Sequence, residues 1–125
     1  MKNKTINKII FLTMTMMLSI GLSSCDKDNT ENENKETLKE LYKVYKNGEI
    51  DECKYNGEIV ICAGINAYDA GSVIYDKNGK GIGSCNYAWG SVDEICNQLT
   101  DCEVIYRVEN NIWGLPAVDK YGLGK

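Results

Sequence analysis

Between Asp26 and Glu36 the sequence DKDNTENENKE contains no apolar residue. That stretch cannot bury surface to offset the entropy of being ordered, and it reads as a flexible acidic tether over residues 25–36. Before it lies an apolar run, IIFLTMTMMLSIGL, from Ile9 to Leu22. Any core must therefore be built from Thr37 onward. A domain that small buries a limited share of its surface and commonly needs disulfides as a further constraint. The 125-residue chain carries 6 cysteines. Its formal net charge is -4, but Lys2, Lys4 and Lys8 are the only charges before Cys25. Without them 11 basic residues face 18 acidic ones, a balance of -7. So acidic a chain lacks the clustered Lys and Arg that nucleic acid or an anionic lipid surface demands, and no nucleic-acid partner is expected.

Residues 1–24 have the shape of a signal peptide. A basic start precedes the apolar run, which is shorter than the roughly 20 residues a membrane-crossing helix needs. The exit is distinctive, because Leu22-Ser23-Ser24-Cys25 resembles the bacterial lipobox. That resemblance implies a diacylglyceryl group on the Cys25 thiol, cleavage just before it and acylation of the new amino group. One acyl chain gives marginal binding at about 0.8 kcal/mol per buried methylene, and two or three give a durable anchor. The acidic stretch after Cys25 resembles the surface-export signals of Bacteroidota-type lipoproteins. Although Lys27 interrupts the acids, this stretch favours an outer-membrane address over an inner one, on the periplasmic or surface-exposed side.

The rest reads as a small α+β domain over residues 37–115. We expect an antiparallel sheet of hairpins packed against one or two short helices, disulfide-stabilised, with residues 116–125 as an irregular tail. Leu38, Leu41, Tyr42 and Tyr45 lie at helical spacing, with Thr37 placed to cap the helix and Gly48 to end it. Asn56-Gly57 and Asn78-Gly79 each separate two β-type runs, and Asn-Gly suits the positive φ of a tight hairpin turn. Calcium-loop readings fail at both acidic stretches. Asp26 and Asp28 lack the following Gly and closing Glu, and after Asp76 a Lys80 stands at a ligand position. No metal and no cofactor is expected.

In WGSVDEICNQLTDC, Ser91 and Glu94 have capping-box spacing, which predicts a second short helix. CEVIYRVENNIW follows as a strand with a turn at ENN and a last short strand at Ile112 and Trp113.

With Cys25 lipidated, Cys53, Cys62, Cys85, Cys96 and Cys102 remain, and pairing is the default for a small exported domain. Five is odd. Two bridges leave one thiol over, and any of the five can be the one omitted. Cys85, Cys96 and Cys102 are expected to supply one bridge tying the second helix to the sheet, and Cys62 to pair with a neighbouring strand. A catalytic thiol would need a histidine or another activating neighbour, and the chain has no histidine. No Cys-x-x-Cys motif offers a redox centre, and zinc lacks its usual ligand pattern.

YNGEIVIC, GSVIYDKNGKGI and the later cysteines together resemble a family of small lipoproteins of unknown function common in Bacteroidota-type bacteria. The similarity spans about Tyr55 to Cys102. It implies a lipobox, a compact β-rich domain, a Tyr-x-Gly hairpin and an Asp-x-x-Gly turn before a cysteine. This chain departs from the family after Cys62, where AGINAYDAG stands in place of a Pro and paired-Cys segment.

Three functions follow as expectations. The first is a non-catalytic module, anchored to a membrane through its lipid, that binds a protein or glycan through a surface bearing Tyr68, Trp89 and Trp113; core packing is the competing role for both tryptophans. The second is a small peptidase inhibitor of the cell envelope, with a disulfide-stiffened AGINAYDAGS loop lying in a protease cleft. An enzyme would have to draw acid and base from carboxylates such as Asp69, Asp93 or Asp101, and nothing in the spacing pairs them, so no catalytic residue is expected.

Overall fold

The computed structural model describes residues 26–125, with side chains from Asn34 onward. Residues 1–24, expected to be a signal peptide, and Cys25 lie outside the described residues. Among those described, one helix, α1 (Asp26–Tyr45), precedes an antiparallel sheet. The strands are β1 (Glu49–Tyr55), β2 (Glu58–Gly64), β3 (Ser72–Tyr75), β4 (Gly81–Asn86), β5 (Ser91–Val92), β6 (Thr100–Arg107) and β7 (Val118–Asp119), in the spatial order β5-β4-β3-β2-β1-β6-β7. The first five form a meander. The chain then crosses back so that β6 pairs the free side of β1.

The helical stripe behaves as its spacing predicts. Leu38, Leu41 and Tyr45 are buried against Ile50, Ile61, Ala63, Ile105 and Tyr106, and Tyr42 packs edge-on against the Tyr106 ring at 5.0 Å. Burial of each large apolar side chain stabilises by roughly 1.5–3 kcal/mol. The phenols find partners as they enter. Tyr45 and Tyr75 share a hydroxyl hydrogen bond of 2.6 Å, and the Tyr106 hydroxyl donates to the Lys46 carbonyl. The helix already runs at Asp26, the first described residue, well before Thr37, so residues 26–36 of the expected tether are helical in backbone. Thr37 does not cap it; its hydroxyl donates to the Lys77 carbonyl in the β3–β4 turn.

Both Asn-Gly turns form. Asn56 and Gly57 adopt φ of 51° and 78°, and the two-residue turn sets Tyr55 opposite Glu58 and every pair back to Glu49 opposite Gly64. At the second turn Gly79 alone is left-handed, at φ 81°, while the Asp76 carboxylate accepts from the N–H groups of Asn78 and Lys80. Side-chain capture of the backbone is what makes Asp a turn former there.

The second helix is absent. Ser91 and Val92 pair with β4 as β5, and only a single 3₁₀ turn, Glu94–Asn97, follows. Asp93 takes the cap position without capping, because its carboxylate accepts instead from the Ser84 N–H. Two tethers to β4, the β5 pairing and the Cys85–Cys96 bridge, leave too little chain for α-helical turns. Ile95, Cys96 and Leu99 nevertheless do the apolar work assigned to a helix face. They lie with Cys53, Val60, Ile74 and Cys85 on the side of the sheet opposite α1.

The C-terminal expectations are also revised. Ile112 and Trp113 are in a turn, since buried Asn111 bonds the Val108 and Leu115 carbonyls and the Leu115 N–H through its side chain. The last strand comes later, as β7 within the tail read as irregular, pairing Tyr106 and Arg107.

Candidate functional site

Side chains alternate across a strand, so the register at Asn56-Gly57 decides what shares the face opposite α1. It places Asp51 directly opposite Cys62 and Glu49 opposite Gly64. On the next strand Cys62 pairs with Ile74, and Ser72 lies diagonally from it. The crossing segment of Ile95 and Leu99 covers the Ile74 end of this face. The other end is a groove of about 310 Å³, floored by Glu49, Asp51, Cys62 and Ser72. That is the lower end of the range for small-ligand sites.

Three loops form its rim, and three asparagines tie them in place. Asn66 accepts from the Ile112 N–H, which joins the β2–β3 loop to the Asn111 turn. Tyr68 donates to the Ile112 carbonyl across the same junction. Asn86 donates to the Asp69 carbonyl and accepts from the Trp89 N–H, which joins the β2–β3 loop to the turn after β4. Asn111 holds the third loop as described. The rim also presents rings to solvent: Tyr68 is 80% exposed, Tyr87 68% and Trp113 38%.

The floor is electrostatically uneven. Arg107 forms an ion pair with Glu49, both largely buried. Asp51 has no such partner. Its Oδ1 is buried, and no hydrogen-bond donor reaches it. Burial pushes its pKa up to about 6, reinforced by the Glu49 charge and opposed by Arg107. Unpaired burial of this kind costs stability once the group ionises.

A test follows from the sign of that shift. A carboxyl whose pKa is higher folded than unfolded holds its proton more tightly in the native state, so stability falls as pH rises from about 4 to about 6 and stays reduced above that. Asp51→Asn is therefore expected to stabilise the protein at pH 7.5 by about 1 kcal/mol after allowance for partial solvent screening, with no gain at pH 3.5. Urea unfolding at the two pH values checks it. An equal effect at both would mean the carboxylate charge is not what burdens the site.

Cys62 is the cysteine left over. Cys53 bonds to Cys102 and Cys85 to Cys96, so Cys62 does not pair with a neighbouring strand as expected. The reason is its register: the residues facing it are Asp51 and Ile74. Its thiol donates to the Ser72 hydroxyl at 3.3 Å. Burial raises its pKa, the Ser72 bond opposes this, and Asp51 and Glu49 add to the rise. A thiol so held stays protonated and is a poor nucleophile. The Cys85–Cys96 bridge does tie the segment after β5 to the sheet, as the sequence reading expected of one bridge among the last three cysteines.

Of the aromatic residues singled out from the sequence, Tyr68 and Trp113 line the groove. Trp89 lies beside it and is 74% exposed. Neither tryptophan belongs to a buried cluster. The three carboxylates weighed for acid and base work are scattered: Asp69 in the rim loop, Asp93 on the Ser84 N–H, and Asp101 ion-paired with Lys54 at 3.7 Å. None of them lines the groove. Glu49, Asp51 and the three asparagines carry no mark in the sequence that singles them out. Counting back from the Asn56-Gly57 turn would have set Asp51 beside Cys62, whereas the asparagine ties depend on tertiary contacts that no spacing announces.

Among the described residues no helix is long and apolar enough to cross a membrane. The chain matches no protein-family model, and no curated protein or solved structure matches it.

Proposed function

We propose that this protein is a membrane-anchored lipoprotein that presents a small non-catalytic α+β domain outside the cytoplasm, and that the domain binds a protein or glycan through the groove beside Asp51. The anchor rests on the sequence at Leu22–Cys25, and the outer membrane is the favoured address. The binding role rests on one observation above all: an aromatic rim already fixed in place by side-chain-to-backbone bonds from Asn66, Asn86 and Asn111. Loops held before a ligand arrives lose less entropy on binding, and that saving goes into affinity. Exposed rings offer stacking area at small conformational cost.

A peptidase inhibitor built on the residue 63–72 loop draws less support, because Cys62 is unbridged and the loop has no disulfide brace. Its ties instead join it to the Asn111 turn and to the turn after β4.

The test separates anchor from binding. Protein purified from its native host is expected to carry lipid mass on a chain starting at Cys25 and to sediment with membranes; Cys25→Ser is expected to move it to the aqueous fraction. Immobilised protein should retain an envelope component that Trp113→Ala loses and Trp89→Ala keeps. A chain beginning at Met1 without lipid would overturn the anchor, and equal retention by both tryptophan variants would overturn the groove.

A further inference from the structure

Building on the groove as a binding site, we propose that it takes the cationic end of an alkyl chain, an ammonium or guanidinium group, with Asp51 as the counter-charge and the Tyr68 and Trp113 rings against the carbon stem.

Charge points to this ligand first. The groove lining includes two carboxylates, Glu49 and Asp51, and no lysine or arginine. The nearby Arg107 is committed to Glu49, so it neutralises one acid and leaves the other. Asp51 thus keeps a buried oxygen that nothing in the protein satisfies. Asp51 lines the groove and has no ion-pair partner, so a cation there supplies the counter-charge its carboxylate lacks, and in a partly dry site that pairing is stronger than in water. Shape points the same way. An aromatic rim above an acidic floor matches a group with a charged tip and an apolar stem, since ring faces attract cations and pack against methylenes. The volume of about 310 Å³ suits one such headgroup and its stem rather than a folded segment.

Other ligand chemistries fit less well. A divalent metal would need several oxygen ligands, and among the described residues no group of three or more His, Cys, Asp or Glu side chains is placed to hold one. A neutral saccharide could stack on the rim but would leave the Asp51 charge unbalanced. Binding also depends on pH. Glu49 stays paired with Arg107, and the Cys62 thiol and Ser72 hydroxyl carry no charge, so Asp51 is the group whose proton a bound cation would displace.

The experiment is an NMR titration of the full chain in detergent micelles, following the amide signals of Asp51 and Tyr68 and the Trp113 indole. The probes are butylamine, butylguanidine, neutral 1-pentanol, the peptide acetyl-Gly-Lys-Gly-amide, its Nε-acetyl-lysine counterpart and a neutral chitooligosaccharide. Saturable shifts with the amine or guanidine are expected, with pentanol and acetyl-lysine peptide at least about ten-fold weaker, the scale of one charge-assisted contact. Asp51→Asn, which keeps the side-chain shape and removes a charge burden on folding, should weaken the amine by a similar factor while leaving pentanol unchanged. Tighter binding by the lysine peptide than by butylamine would assign the source to a protein partner; equal binding would assign it to free amines. Pentanol binding as tightly as butylamine, or Asp51→Asn binding the amine as well as the parent, overturns the proposal. A saccharide that alone shifts these signals overturns the cation while leaving the groove as the binding site.

Discussion

Replacing Cys53 and Cys102 together with alanine is expected to cost about 4 kcal/mol, a large part of the 5–15 kcal/mol that typically holds a domain together. The two residues are 49 apart in sequence and join β1 to β6. That pair of strands closes the longest loop in the sheet, because the whole meander from β2 to β5 and the crossing segment lie between them. The bridge therefore removes much freedom from the unfolded chain. It also acts at one of the two interruptions in the ladder. Register shifts interrupt β1–β6 pairing between Glu52 and Lys54, opposite the left-handed Asp101 at φ 50°. Urea unfolding of the double variant should show a midpoint far below that of the parent. The Cys85–Cys96 bridge spans a separation of only 11, and its removal should cost about 3 kcal/mol. A reversed order would mean that chain closure is not the main contribution.

Gly48→Ala should destabilise by about 3 kcal/mol, the upper end of the ordinary cost of overpacking. Gly48 has no positive φ, so the helix-ending role its position suggests is not why glycine stands there. An added Cβ would lie 2.0 Å from the Gly64 carbonyl oxygen and 2.9 Å from the Ile65 Cα. Both obstacles are backbone, and neither can swing aside as a side chain could. The end of β2 must move, and Gly64 and Ile65 line the groove. The variant is thus expected to lose ligand affinity as well as stability. Gly57→Ala is the comparison. Gly57 has nothing within 4 Å of its would-be Cβ, but its φ of 78° disfavours other residues, for a cost of about 1 kcal/mol. Equal midpoints for the two variants in urea would show that crowding at Gly64 is not what Gly48 avoids.

The features legible in the sequence are those whose causes are local. Asn56-Gly57 forms its turn because only a few residue types tolerate two successive positive φ values, and Leu38, Leu41 and Tyr45 fall on one face because helical geometry puts them there. Thr100–Arg107 is a strand where alternation predicts one. Local signals mislead where a distant contact outbids them. Ser91 and Glu94 have the spacing of a capping box, but pairing of Ser91 and Val92 with β4 claims that backbone first. Ile112 and Trp113 have strand-forming side chains, but Asn111 bends the chain through three hydrogen bonds. The site divides in the same way. Tyr68 and Trp113 can be marked from residue type alone, whereas Asp51 gains its meaning only from burial and from Arg107 being engaged by Glu49.

The sheet's outermost strands, Ser91–Val92 and Val118–Asp119, are two residues each. They leave most of β4 and β6 open on one side, and unpaired strand borders invite other chains to add on; on β6 the open stretch carries exposed charged side chains, Asp101 and Glu103, of the kind that discourages such addition. Many copies crowded side by side in a plane should therefore stay separate instead of zipping into fibres, and each would keep its face free.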